Sequence, residues 1–380
     1  MNARLPASLS PAAYEHPVPD RAGANAYTDD PEFARLLPLY LPPELVAHLQ
    51  PHLHRLGELA GGELDRLAHS ADLNPPTLEH RSRAGVDAQR ILKHPDYVEM
   101  ERLAFSEFGL AAMSHRAGVL GWDQPMPAAV KYALTYLFVQ AEFGLCCPLS
   151  MTDSLTRTLR KYGRPELVQR YLAELTTQDL DALSQGAMFM TEQGAGSDVS
   201  ATETLARPDD SEPGHAWRLY GDKWFCSNPD AALAMVLART EGAPAGMKGV
   251  SLFLLPRTLP DGRPNSYRII RLKDKMGTRS MASGEIRLEG AKAWLVGELG
   301  RGFAQMADMV NNSRLSNGMR AAGLMRRAVS EALYISRHRQ AFGKHLIDMP
   351  LMQRQLAKQM VPTEQARTMM FQTAEALRRS

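Results

Sequence analysis

Apolar residues recur at one-face helical spacing at Leu45, Leu49, Leu53 and Leu56, and helical periodicity then runs from Pro42 to about Leu180. Pro51 inside the first run predicts a kink, or two helices rather than one. Over residues 96–110, Val98, Leu103 and Phe108 are interspersed with Glu99, Glu101, Arg102 and Glu107, the pattern of a helix with one wet face. Apolar residues on nearly every side over 127–145 predict a buried central helix, and Pro165 with Glu166 opens another that reaches Leu175. At about Gly186 the period changes. Short strand-like runs follow at 217–221, 234–239, 250–255, 267–272 and 284–288, mostly bounded by Gly, Pro, Asp or Asn, so a separate small β domain is predicted. Helical spacing returns over 303–339 and again from Pro350 toward Ser380.

The expected fold is therefore α+β, with an extended arm over 1–40, a helical domain over 41–185, a β domain over 186–299 and a second helical domain over 300–380. In the last helix Met360, Ala366, Met369, Met370, Phe371, Ala374 and Leu377 leave an apolar face in need of partners. The closing bundle is thus read as incomplete and the chain as truncated there. A natural terminus is the alternative, because Arg378 and Arg379 suit the negative end of a helix.

Forty-four basic and 42 acidic residues give a net charge of +2, too balanced to mark the whole chain as a nucleic-acid binder. Three cysteines, two of them the adjacent Cys146 and Cys147, fit a reduced, cytoplasmic setting. The Pro-rich start lacks a signal-peptide core, and no apolar run approaches the roughly 20 residues of a membrane span. The 11 histidines fall in no metal-ligand pattern, so no metal site is expected.

The chemistry concentrates in Met188-Phe189-Met190-Thr191-Glu192-Gln193-Gly194-Ala195-Gly196-Ser197-Asp198. A strand-like run breaks here into a turn whose two glycines free the backbone and let a bulky ligand approach. Thr191 and Ser197 add short neutral donors and acceptors, and turned backbone N–H groups suit phosphate. The turn lacks the βαβ setting of a dinucleotide fingerprint, and a plain polar turn between strands remains the alternative.

The order of residues from Met190 to Asp198 resembles the flavin-contacting signature of the acyl-CoA dehydrogenase family, with Gln193 where that family usually has proline. Three further segments in the same order resemble it too: Gly221-Asp222-Lys223-Trp224-Phe225-Cys226-Ser227-Asn228, Lys275-Met276-Gly277 with Arg279-Ser280, and Arg339-Gln340-Ala341-Phe342-Gly343-Lys344. The missing proline, Asn74-Pro75-Pro76, Cys147 to Thr152 and Leu272 to Lys275 look most like the AidB branch, flavoproteins of the bacterial response to DNA alkylation. The resemblance implies helical, β and helical domains, an acyl-CoA-like substrate, an electron-transfer partner and a dimer or tetramer. It implies FAD, with Met188, Met190 and Thr191 around the ring, Ser197 at the pyrophosphate, Phe225 packed on the ring and Ser227 reaching toward N5. Trp224 and Phe225 as core aromatics of a strand are the alternative, and a one-residue shift would exchange their roles.

Arg339 and Phe342 match residues that reach the cofactor of a neighbouring subunit, whereas Pro350 replaces a frequent glutamine contact. Arg314 matches an arginine near the thioester. Its neighbour Ser313 stands where one branch carries a catalytic glutamate, so no catalytic base is named. Glu192 and Asp198 are expected to hold the turn. Two other readings stay open: a flavoprotein that associates with DNA through a missing C-terminal region with little turnover, and a remnant that cannot retain flavin.

Overall fold

The computed structural model describes residues 18–212 and 216–379. Residues 1–17 of the expected arm lie outside the described residues. What is described is not extended throughout: Asp30 accepts a bond from Phe33 N and, with Pro31 in the first turn and Phe33 buried, starts α1 (Pro31–Leu36). Helix α2 (Pro43–Gly61) runs through Pro51 as one helix rather than two, with Leu45, Leu49, Leu53 and Leu56 buried along one face. Packing of that face outweighs the one backbone bond a proline removes. After α3 (Glu63–Leu73) comes an unforeseen hairpin of β1 (Thr77–Arg81) and β2 (Asp87–Leu92). Helix α4 (Pro95–Glu101) continues as a π-helical segment, Arg102–Glu107. The central helix α5 (Ala128–Phe138) is buried at every position but stops short of residue 145.

Helix α6 (Cys146–Tyr162) had no individual counterpart in the hydrophobic pattern, because its buried side is rich in polar residues. Thr152 and Thr156 satisfy their hydroxyls on the carbonyls of Pro148 and Thr152, both at 2.8 Å. Asp153, fully buried, accepts from Lys131 at 2.6 Å, from Asn312 at 2.7 Å and pairs with His115 at 2.8 Å. Tyr132 in turn donates to Asn312. One carboxylate thus ties α5 and α6 to the later helix that carries Asn312. Helix α7 (Pro165–Leu175) begins and ends where the pattern places it.

The β domain contains β3 (Gly186–Phe189), β4 (Leu205–Pro208), β5 (Ala216–Ser227), β6 (Leu233–Thr240), β7 (Val250–Pro256), β8 (Tyr267–Leu272) and β9 (Ser283–Val296). Strands β4, β5, β9, β7 and β6 pair in a closed ring, with β3 added parallel to β6 and β8 antiparallel to β9. Alternation sorts the ring's two faces. Ala234, Val236, Ala238, Phe253 and Leu255 fill one core, while Met235, Leu237, Leu252 and Leu254 pack with α6 and α7. Because both faces are covered, β6 and β7 read as continuous apolar runs.

Helix α8 (Gly302–His338) packs on α5 and α6; the small hairpin of β10 (Gln340–Ala341) and β11 (Lys344–His345) leads to α9 (Pro350–Arg379). Among the described residues, no helix is long and apolar enough to cross a membrane.

Burial alone would raise the Asp153 carboxyl, but Lys131, Arg157 and the His115 bond hold it well below the usual 3.8. Its contribution to stability is therefore complete above the ordinary carboxylate range and is lost as pH falls through the depressed folded value. Asp153→Asn should cost about 3–5 kcal/mol at neutral pH, because Lys131 keeps its charge without a counter-ion. It should also flatten the acid limb of the stability profile; denaturant midpoints measured from pH 7 to pH 2 check both expectations.

Candidate functional site

Strand β3 delivers the glycine-containing turn to the end of β5. Trp224 N donates to Thr191 O at 2.9 Å, and Lys223 Nζ donates to Met190 O at 3.2 Å. Lys223, fully buried, also meets Glu192 at 2.7 Å. Glu192 accepts in addition from Glu203 N, Thr204 N and the Thr204 hydroxyl at 2.6, 3.1 and 2.5 Å. Burial by itself would raise the Glu192 carboxyl, yet Lys223 and these donors hold it below the usual range. A carboxylate with every contact directed at the scaffold fastens the turn, as expected, and is not poised to take a proton.

Past Glu192 the turn opens outward. Asp198 caps the next short helical turn by accepting from Ser200 N, and Ser197 is exposed. Neither Gly194 nor Gly196 has a left-handed backbone, and a Cβ added to either would meet nothing within 4 Å. Packing within the chain therefore does not require glycine at these positions. The open space beside them, with free hydroxyl and backbone donors, fits a bulky phosphate-bearing ligand. Met188 and Met190 pack, partly buried, on the side of the β domain that faces α6 and α7.

The register of β5 against β9 slips between Lys223 and Cys226, so Trp224 and Phe225 lie in a bulge. A bulge re-aims side chains. Phe225 is left 59% exposed, edge-on to Trp224 with ring centroids 6.5 Å apart. The Lys273 ammonium stands 3.7 Å from the Trp224 centroid and 4.8 Å from that of Phe225. Phe225 is thus no core aromatic. Ser227, two residues on, is half-buried opposite Ser283, and Asn228 returns to β3 by donating to Gln185 and Gly186 O.

The other expected site residues lie elsewhere in the chain. Arg339 lines a cavity of about 850 Å³ with Asp20, Arg21, Arg327 and Tyr334, all outside the β domain. Phe342 sits at the tip of the β10–β11 hairpin with φ 54° and 97% exposure. Arg314 is exposed on α8 and donates to Asn311. No described contact joins these three to the turn, and Ser313 brings no carboxylate. Among the described residues no cluster of His, Cys, Asp and Glu could hold a metal ion.

Three family matches follow the same order along the chain. Residues 17–182 match the adaptive response protein AidB N-terminal domain, 187–291 the acyl-CoA dehydrogenase middle domain and 300–380 the acyl-CoA dehydrogenase C-terminal domain. Acyl-CoA dehydrogenase family member 11 of Caenorhabditis elegans is 31% identical over 361 residues, 93% of this chain and 57% of that protein. The AidB protein of Escherichia coli is 33% identical over 333 residues, 85% of this chain and 58% of that protein. The structure of C. elegans ACDH-11 in complex with C11-CoA superposes with a TM-score of 0.87 at 29% identity, covering 99% of this chain and 63% of that one. The chain belongs to the acyl-CoA dehydrogenase family. Within it, the chain is AidB-like, and it spans 57% and 58% of the two curated relatives.

Sequence reasoning missed Lys223 and Lys273, the two lysines that shape the site. Lys223 could have been found as a charged residue in a strand where a buried position is due, which obliges a carboxylate partner nearby. Nothing in the sequence placed Lys273 over Trp224. Glu192→Gln should leave the Lys223 ammonium buried without a counter-ion and destabilise the chain by about 3–5 kcal/mol. Thermal denaturation checks it, and a change below about 1 kcal/mol would remove this pair from the turn's support.

Proposed function

We propose that this chain carries the flavin site of a FAD-dependent, acyl-CoA dehydrogenase-like oxidoreductase of the AidB branch, which acts by α,β-dehydrogenation of an acyl thioester. The observation that carries the reading is the bond from Trp224 N to Thr191 O, which holds two separated flavin-type motifs side by side. FAD, when bound, supplies the hydride acceptor. Met188, Met190 and Thr191 would hold the edge of its ring, and Ser197 would bind the pyrophosphate through its exposed hydroxyl. Phe225 would shield the ring from water, and the Ser227 hydroxyl would serve as a hydrogen-bond donor to it. Arg339 and Phe342 serve the cofactor of a neighbouring subunit in a homo-oligomer, which accounts for an aromatic ring left 97% exposed. Arg314 orients the thioester. The setting is cytoplasmic, with an electron-transfer protein as acceptor. C11-CoA in the C. elegans relative supports an acyl thioester as the substrate class.

A second reading is favoured by the match of residues 17–182 to the AidB N-terminal domain: a DNA-associated protein of the alkylation response with little turnover.

Denaturation should release FAD from the purified protein, and anaerobic addition of acyl-CoA thioesters of graded chain length should bleach it. Bound FAD without bleaching at any length would count against dehydrogenation; a salt-sensitive shift of duplex DNA by the same sample would then favour the second reading. Arg339→Ala should weaken FAD retention by about 10- to 100-fold, because a guanidinium–phosphate contact is lost. Equilibrium dialysis reads this directly, and unchanged FAD content would remove Arg339 from the site.

A further inference from the structure

Helix α8 sends one guanidinium into the interior without an ion-pair partner among the described residues. Arg320 is only 5% exposed and stacks over the Phe143 ring at 4.8 Å. Its Nε has no hydrogen-bond partner, and among the described residues the side chain forms no ion pair. The contrast with its neighbours on the helix is sharp. Arg326 approaches Asp30, and Arg327 pairs with both Asp65 and Glu331.

The place where this happens adjoins the end of β5. Phe143 precedes α6, whose second residue is Cys147, and Arg320, Ser227 and Lys275 all act on the Cys147 thiol, offsetting part of the rise that burial causes. Lys275 donates to Met281 O at 2.6 Å and to Ser283 Oγ at 3.1 Å, and Ser283 is the register partner of Ser227. Lys275 also lacks a carboxylate within ion-pair distance among the described residues. Glu142, beside Phe143, acts on Lys275 only through space, without an ion pair, and its Oε1 accepts from Leu145 N and Ser280 Oγ. Among the described residues two cations, one of them buried, therefore face a half-buried thiol and hydroxyl with no carboxylate in ion-pair contact.

Burying a guanidinium without a counter-charge is costly, so the arrangement is balanced only when an anion arrives. A planar fork of N–H donors meets both oxygens of a carboxylate at once. We propose that Arg320, assisted by Lys275, forms a carboxylate subsite next to Ser227 and Cys147. The carboxylate is either free or carried at the far end of the acyl group of a thioester. The second source rests on the thioester reading above; the subsite itself does not.

Calorimetric titration of the whole chain loaded with FAD separates these cases, using butanoate against butan-1-ol and glutaryl-CoA against pentanoyl-CoA. The carboxylate member of at least one pair should bind about tenfold or more tightly than its neutral counterpart, and Arg320→Gln and Arg320→Met should abolish that preference. Without ligand, Arg320→Met should melt no lower than the parent protein, since an apolar side chain replaces an unpaired buried charge. Preference for butanoate with no binding of either thioester would uphold the subsite and sink the thioester reading. Equal binding within each pair would overturn the subsite and leave dehydrogenation standing. A preference that survives both substitutions, or an Arg320→Met variant that melts well below the parent with the preference intact, would make Arg320 a structural residue only.

Discussion

A fully buried ammonium needs a carboxylate, and the contact of Lys223 with Glu192 at 2.7 Å is the constraint on which the site depends. Lys223 belongs to the strand that ends in Phe225 and Ser227. Glu192 belongs to the turn that begins with Thr191. Bringing the two charges together brings their neighbours together, and the backbone bond from Trp224 to Thr191 then sets the register between them. Thr204 and Glu203 complete the coordination of Glu192, so the turn is held from two segments and its glycines are left facing open space.

The same rule operates in the helical part at a larger scale. Asp153 gathers Lys131, His115 and Asn312 from separate segments and thereby positions α8 against α5 and α6. Asp30 does so again for Arg326 and Arg367, joining the N-terminal segment to α8 and α9. Each carboxylate is buried where separate helices meet, beside the apolar cluster that they share. Breaking one partner is expensive because the others remain charged and dry. Arg320 departs from this pairing: it is buried, and among the described residues it meets no carboxylate.

Accessible aromatic surface tells a related story. Phe225 at 59% and Phe342 at 97% exposure are the kind of side chains a folded chain normally covers. The first is turned outward by a bulge and the second by a left-handed residue at a hairpin tip. Both conformations cost some backbone freedom, so neither exposure is an accident of loose packing.

Local pattern was enough to determine the alternation of helical, β and helical regions, the limits of α7 and the positions of β6, β7 and β8: α7 and β8 bury faces that repeat at 3.6 or at 2 residues, and β6 and β7, buried on both faces, read as continuous apolar runs. Motif order singled out the segments around Thr191 and Trp224, which a backbone hydrogen bond joins. Tertiary structure alone decided the rest. The polar buried side of α6 shows no apolar stripe, since its partners come from Lys131, His115 and Asn312, far away in the sequence. Pro51 passes through α2 because a packed face outweighs one missing bond. The pairing of Lys223 with Glu192, the placing of Lys273 over Trp224 and the solitude of Arg320 are relations between distant segments, and a linear pattern holds no record of a distance that only folding creates.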